Sequence, residues 1–169
     1  MNLEKAVSGV FGLDDEGWAR HANPLSGWSR VFTGLPLIVL AVWSRDWIGW
    51  WSLIPVAVAF IWVAINPKLF GPASSDESYI SRAVFGERFW ANRDQYDIPP
   101  HHVFPIRLLN GVAMFGAIFL IWGLVVLDVW ILLFGTAVSW GGKMWFIDRM
   151  VWLYQDIVTA DPSLKYTPS

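Results

Sequence analysis

Long apolar runs joined by very short links constrain this chain more than any other feature of its sequence. Four runs cover residues 24–44, 47–65, 108–127 and 129–147. Each has about the 20 helical residues that are needed to cross a hydrocarbon core of roughly 30 Å. The first two runs are separated by Arg45 and Asp46, and the last two by Asp128. Links this short predict two antiparallel helical hairpins, and hence an all-α integral membrane protein built as a four-transmembrane-helix bundle.

The charge content agrees with a membrane location. Charged residues make up 15% of the chain and hydrophobic residues 55%, whereas a soluble domain has about a quarter charged residues. This composition disfavours a soluble enzyme and a disordered chain. The formal net charge of −2 gives no basic excess, so we expect no nucleic-acid partner. Since the chain has no cysteine, disulfides, thiolate metal sites and cysteine nucleophiles are excluded.

The distribution of lysine and arginine predicts the orientation. Every lysine and arginine except Arg45 lies in the N-terminal region, in the central segment 66–107 or towards the C-terminus. Because cytoplasmic segments carry the excess of basic residues, we expect a multi-pass protein of the cell or inner membrane with both termini cytoplasmic. Tryptophans near the ends of the runs fit the aromatic belts found at membrane surfaces.

Two segments outside the spans have helical patterns of their own. In residues 1–22, which do not resemble a cleavable signal peptide, Leu3, Ala6, Val7, Val10 and Phe11 follow helical spacing and predict a helix lying in the membrane interface. The central segment, residues 66–107, predicts an amphipathic helix on the inner leaflet.

Local sequence signals in the central segment predict where its helix begins and bends and how the chain continues after it. Ser74 and Glu77 fit a capping box at the start of the helix, and Gly86 suggests a bend. The prolines that follow predict an extended return to the membrane; they are Pro99, Pro100 and Pro105. The fourth span is expected to continue as a helix to about residue 158.

Small residues recur at helical spacing in the last two spans. Gly135, Ser139 and Gly142 share one face of the fourth span, and Gly116 and Gly123 share one face of the third. Such spacings let helix backbones approach closely in lipid, so we expect these residues at helix contacts, within the bundle or with a partner.

The polar residues expected at the cytoplasmic ends of the spans form the candidate site. They are His21, Asn23, Arg30, Asn66, Lys143, Asp148, Arg149 and Asp156. An ion pair of Asp148 with Arg30 or Arg149 would lower the cost of charge near the membrane and clamp two helices. The alternative is a binding site for an anionic headgroup or substrate, formed by the basic members of this set.

No catalytic set, metal site or cofactor is expected from the sequence. His101 and His102 are adjacent on a segment expected to be extended, where neighbouring side chains point in opposite directions. Neither H-x-x-x-H nor E-x-x-H spacing occurs.

Two strings resemble signatures of an uncharacterised prokaryotic family of small multi-span membrane proteins. They are RHANPLSGWSR, residues 20–30, and DRMVWLYQD, residues 148–156. The resemblance covers about residues 11–158. It implies no known activity, but it suggests that the two strings meet in one cytoplasmic site.

The leading functional hypothesis is a non-enzymatic accessory or scaffold subunit. Its expected partners are membrane lipids and either another membrane protein or further copies of this chain. One alternative is a small oligomeric transporter or channel, for which helix-breaking Pro36 and Pro55 at similar depth would expose carbonyls. A second alternative is a lipid-modifying enzyme that uses His21 and Asp148.

Overall fold

A computed structural model describes residues 14–168, which form helices and connecting turns without a β-strand. The helix expected in the N-terminal segment falls largely on residues 1–13 and therefore lies outside the described residues. In chain order, the α-helices are α1 (Asp15–His21), α2 (Pro24–Ser29), α3 (Leu35–Trp43), α4 (Arg45–Ile48), α5 (Leu53–Leu69), α6 (Tyr79–Ala91), α7 (Pro100–Val126) and α8 (Val129–Ala160). A π-helix, Arg30–Gly34, joins α2 to α3, and short 3-10 helices cover Gly49–Ser52 and Pro162–Leu164.

The chain divides into two compact units. The polar unit contains the described residues up to Trp28, Pro67–Ile106, and the chain from Ile147 onwards. The apolar unit contains Ser29–Asn66 and Arg107–Phe146. Helices α7 and α8 contribute residues to both units.

Asparagine and aspartate side chains start several of the helices. Asp14 accepts a hydrogen bond from the Gly17 N–H at 2.8 Å, which caps α1. The Asn23 side chain accepts from the Leu25 N–H at 3.0 Å, and Pro24 occupies the first helical position, where its missing N–H costs nothing. Asn23 is thus the N-cap of α2.

The first hairpin of the apolar unit reverses near Gly49, which has a φ of +56°, a conformation that glycine adopts readily. Hydrogen bonds between its two arms show the antiparallel pairing. Asn66 donates to the Ser29 hydroxyl at 2.9 Å, and the Trp62 indole donates to the Thr33 hydroxyl at 2.8 Å. The α-helix of the second arm begins at Leu53 rather than at residue 47, because the residues before it form the turn.

The second hairpin reverses within two residues, between α7 and α8. Leu127 is left-handed, with a φ of 55°, and ends α7. Asp128 then accepts hydrogen bonds from the N–H groups of Trp130 and Ile131, each at 2.9 Å. This carboxylate caps α8, so one residue ends the first helix and the next residue starts the second.

Three prolines of the central segment lie within helices. Helix α5 runs through Pro67 to Leu69, and α7 begins at Pro100 and contains Pro105. The expected extended return to the membrane was therefore wrong. Pro100 is the first residue of α7, where the fixed φ of proline suits the helix.

Helix α6 forms the centre of the polar unit. Nine of its 13 residues are buried, so protein surrounds it on several sides. The sequence predicted a helix in this segment, and its position on the inner leaflet stays a prediction. The helix is continuous through Gly86. A Cβ at this position would lie 2.0 Å from the Met150 carbonyl oxygen. Glycine at this position permits a close approach to α8 and does not cause a bend. The helix is preceded by Ser78 rather than capped at Ser74.

Two helical segments are long and apolar enough to cross a membrane. The first, Pro24–Leu69, spans 46 residues because it covers both arms of the first hairpin and the turn between them; the second is α7 itself. Only 11% and 28% of their most apolar windows are buried. These segments therefore expose most of their apolar residues.

Candidate functional site

The predicted cytoplasmic-face residues are distributed over both units and bind different neighbours. Asn23 donates to the Gly71 carbonyl at 3.0 Å in addition to capping α2. His21 packs edge-on against Trp18. The Lys143 ammonium lies 4.3 Å from the centre of the Phe146 ring, a cation–π geometry. These contacts hold individual helices and segments in place.

Asp148 has a tyrosine partner that the sequence reasoning missed. The Tyr79 hydroxyl donates to its carboxylate at 3.1 Å, and the Tyr79 ring stacks on Trp28. Burial, followed by the negative charge of Asp148, raises the pKa of Tyr79 to about 12. Because the phenol keeps its proton at ordinary pH, this pair is a neutral donor bonded to a carboxylate.

Three titratable side chains converge where α7 begins. His101 and His102 lie in the first turn of α7. The Nε2 atoms of both residues approach one carboxylate oxygen, Oδ2 of Asp156 on α8, at 3.1 and 2.9 Å respectively. We name this group the His-His-Asp cluster. Sequence reasoning missed it because it assigned the two histidines to an extended segment.

The helical conformation of α7 and α8 places His102 and Asp156 beside packed helix faces. His102 and Ile106 are four residues apart on α7 and both are fully or almost fully buried, as expected for one packed face of a helix. On α8, Asp156 lies beside buried Ile157 and three residues after buried Leu153. The helical start signal was Pro100, which occupies the first position of α7.

The environments of the two histidines differ sharply. The His102 side chain is 1% exposed, whereas His101 is 64% exposed and Asp156 is 42% exposed. The Nδ1 atom of His102 is buried without a hydrogen-bond partner among the described residues. Hydrogen bonds from His102 and then His101 hold the pKa of Asp156 below its usual value. Asp156 is therefore an anion in contact with two imidazoles, one fixed and one facing solvent.

A second polar group in the polar unit joins the C-terminal tail to α8. The Tyr154 hydroxyl donates to Asp76 at 2.8 Å and accepts from the Tyr166 N–H at 3.1 Å. The Tyr166 hydroxyl donates to the Ala73 carbonyl at 2.8 Å, and its ring stacks on Phe85. Burial is the main cause that raises the pKa of Tyr154 to about 12. These hydrogen bonds are internal to the unit and stabilise it.

The π-helix of the apolar unit is accompanied by internal hydrogen bonds. Its Thr33 hydroxyl donates to the Ser29 carbonyl at 2.5 Å and accepts from Trp62. A π-turn releases backbone carbonyls and often marks a functional site. Here it lies directly before the turn that contains Pro36, whose ring has no N–H to donate. Because Thr33 and fully buried Asn66 bond within the unit, the arrangement stabilises the first hairpin.

Glycines form the contact between α7 and α8. A Cβ on Gly116 would lie 2.2 Å from the Ser139 nitrogen, and one on Gly135 would lie 2.1 Å from the Leu120 nitrogen. Gly123 and Gly142 also face backbone atoms of the opposite helix. The five small residues that the sequence suggested for helix packing therefore lie along one antiparallel seam within the apolar unit.

Comparison with protein-family models matches residues 2–169 to DUF6653, a family of unknown function. This match covers nearly the whole chain and fits the uncharacterised family that the sequence resembles. Comparisons with curated proteins and with solved structures found no match.

Proposed function

We propose that the chain, which belongs to this family of unknown function, is an integral membrane protein that crosses the bilayer four times and serves as an accessory or scaffold subunit. The observation that carries the membrane assignment is the low burial of its two most apolar segments, 11% and 28%. Monomeric proteins in water rarely expose apolar patches larger than a few hundred Å². Lipid chains or another membrane protein would cover these faces.

The fourth crossing depends on α8, whose first 14 residues, 129–142, carry no charge. At 1.5 Å per residue they would cover about 21 Å, less than the roughly 30 Å of a hydrocarbon core. The long side chain of Lys143 could extend to the headgroups while its stem stays in the apolar region. The span would then continue to about residue 147.

Exposed indoles support the same arrangement. Trp50 and Trp51 are exposed at the turn of the first hairpin, and Trp130 is exposed beside the turn of the second. Indoles favour the headgroup level. Arg45 at the first of these turns bonds the Leu124 and Val125 carbonyls. The remaining basic residues support a cytoplasmic location for the opposite ends of the spans.

The accessory role is supported by polar and small residues that bond or pack inside the protein. Tyr154, Asn66 and Thr33 bond within their own units, and the glycine seam joins α7 to α8. The exposed surface of the apolar unit carries bulky apolar side chains, including Val58 on α5 and Met114 on α7. This surface suits lipids and helices of another membrane protein.

Native mass spectrometry on the chain, extracted from its own membrane into a lipid-retaining polymer, tests this proposal. The expected result is a stoichiometric complex with another membrane protein or with further copies of the chain. Val58→Trp and Met114→Trp, on the exposed faces of different helices, would show which face makes the contact. A monomer carrying lipid alone would contradict the accessory role, and so would a complex that survives both substitutions together.

A further inference from the structure

We propose that the His-His-Asp cluster binds a divalent transition-metal ion of the zinc class. His101, His102 and Asp156 each offer one ligand atom, and the three atoms all lie within 4.8 Å of one another. Two imidazole nitrogens and one carboxylate oxygen, with further positions left open, are a common set of protein ligands for such ions. Metal binding is independent of the accessory role and goes beyond it.

The distances are compatible with a metal after small movements. Zinc binds nitrogen and oxygen at about 2.0–2.2 Å, so ligands at tetrahedral angles lie about 3.4 Å apart. The two distances from Asp156 are now 2.9 and 3.1 Å. A metal would therefore separate the carboxylate slightly from both imidazoles and bring together any pair of ligand atoms that lies near the 4.8 Å limit. His101 can make the larger adjustment, because its side chain is exposed.

The remaining two ligands are held by the fold. His102 is buried on α7, and its backbone N–H donates to the Pro99 carbonyl at 3.0 Å. Asp156 is carried by α8, where the adjacent face is anchored by buried Leu153 and Ile157. Ligands on packed helices keep their geometry better than ligands on loops. The pair therefore forms a rigid base for a third, solvent-exposed ligand.

The donor set selects the class of ion. Imidazole suits zinc, copper, iron and nickel, whereas calcium and magnesium prefer sites made of oxygen ligands. With neutral imidazoles, the cluster contributes a charge of −1 and leaves a bound divalent ion with a net charge of +1. The exposed side, next to His101, leaves room for a water molecule or an anionic ligand at the fourth position.

Cobalt titration of the purified full chain in detergent tests the proposal, because bound Co²⁺ reports its ligands through visible absorption. The affinity tag must contain no histidine, and the protein is first treated with a chelator. We expect one equivalent of Co²⁺ to bind, Zn²⁺ to displace it, and millimolar Mg²⁺ to leave it in place. His101→Ala and Asp156→Asn should each weaken binding by at least about tenfold.

His21→Ala is the matched control, because it removes a histidine of the same unit that lies outside the cluster. It should bind Co²⁺ as the wild type does, and far-ultraviolet circular dichroism should show that all variants are folded. His102→Ala is avoided because the side chain is buried. The proposal is wrong if the wild type binds no Co²⁺, if His101→Ala binds with wild-type affinity, or if His21→Ala weakens binding equally.

Discussion

Replacing Gly116 with alanine would place a methyl group against the backbone of α8. The new Cβ would lie 2.2 Å from the Ser139 nitrogen and 2.8 Å from the Val138 carbonyl carbon. Ordinary van der Waals contact begins near 3.4 Å, so α7 and α8 would have to separate locally by about 1.2 Å. A backbone neighbour cannot rotate away as the end of a flexible side chain can.

The cost of this separation follows from the packing that it removes. A gap of about 0.5–1 Å already forfeits a quarter to a half of each dispersion contact. Overpacking of this kind typically costs about 1–3 kcal/mol. We therefore expect Gly116→Ala to lower the free energy of unfolding by that amount, and Gly135→Ala, which meets the Leu120 nitrogen at 2.1 Å, to do the same.

Gly111→Ala is the matched control on the same helix. A Cβ there would meet nothing within 4 Å, and alanine is about 1 kcal/mol better than glycine in a helix interior. The two substitutions, five residues apart, should therefore change stability in opposite directions. This difference in sign separates the effect of the seam from a general effect of removing glycine.

Unfolding of the detergent-solubilised protein by sodium dodecyl sulfate, followed by far-ultraviolet circular dichroism, measures the difference. Gly116→Ala should unfold at a lower detergent fraction than the wild type, and Gly111→Ala at the same or a higher one. Equal midpoints for the two variants, or a more stable Gly116→Ala protein, would refute the close approach of α7 and α8.

Three further predictions concern the polar contacts. Tyr154→Phe should destabilise the protein by about 2–4 kcal/mol, because it removes a hydrogen bond to a carboxylate and one from a backbone N–H; an unchanged thermal midpoint would contradict the network. Tyr79 and Tyr154 have pKa values raised to about 12, so their contribution to the free energy of unfolding is fully present below pH 10 and should be lost as the pH rises towards 12. This loss should be smaller in Tyr154→Phe. A thermal midpoint of the wild type that stays constant from pH 10 to 12 would contradict the raised pKa values. Arg45→Gln should cost about 1–2 kcal/mol by removing charged donors from the carbonyls that end α7, whereas Asp46→Asn, at an adjacent exposed position, should have little effect in the same assay.

The helical content and the short reversals were predictable because each depends on local signals. Asn23 and Pro24 mark the start of a helix, and Asp128 marks the start of another, through hydrogen bonds to nearby N–H groups. The seven-residue spacing of Gly116 and Gly123 indicates one face of a helix, because seven residues make about two helical turns. These features need no knowledge of which segments meet.

The His-His-Asp cluster and the buried position of α6 were not predictable from the same signals. Asp156 lies more than 50 residues from His101 and His102, and only the packing of α8 beside the start of α7 brings them together. Prolines near the histidines suggested an extended segment, although Pro100 lies at the one helical position where proline is favoured. The charged residues of α6 suggested a helix that faces headgroups or water, but Arg88 pairs with Asp15 at 2.6 Å and the Arg82 side chain donates to the Asp76 carbonyl.

Labelling of single-cysteine variants with a membrane-impermeant maleimide tests the four-span arrangement most directly, and the natural chain contains no cysteine to remove. Asp46→Cys and Trp130→Cys lie at the two hairpin turns, while Glu77→Cys and Lys165→Cys lie in the polar unit; all four positions are exposed. In intact cells, four spans with cytoplasmic termini predict labelling of the two turn positions, with the other two labelled only after lysis. Labelling of Glu77→Cys in intact cells, or protection of either turn position until lysis, would contradict it.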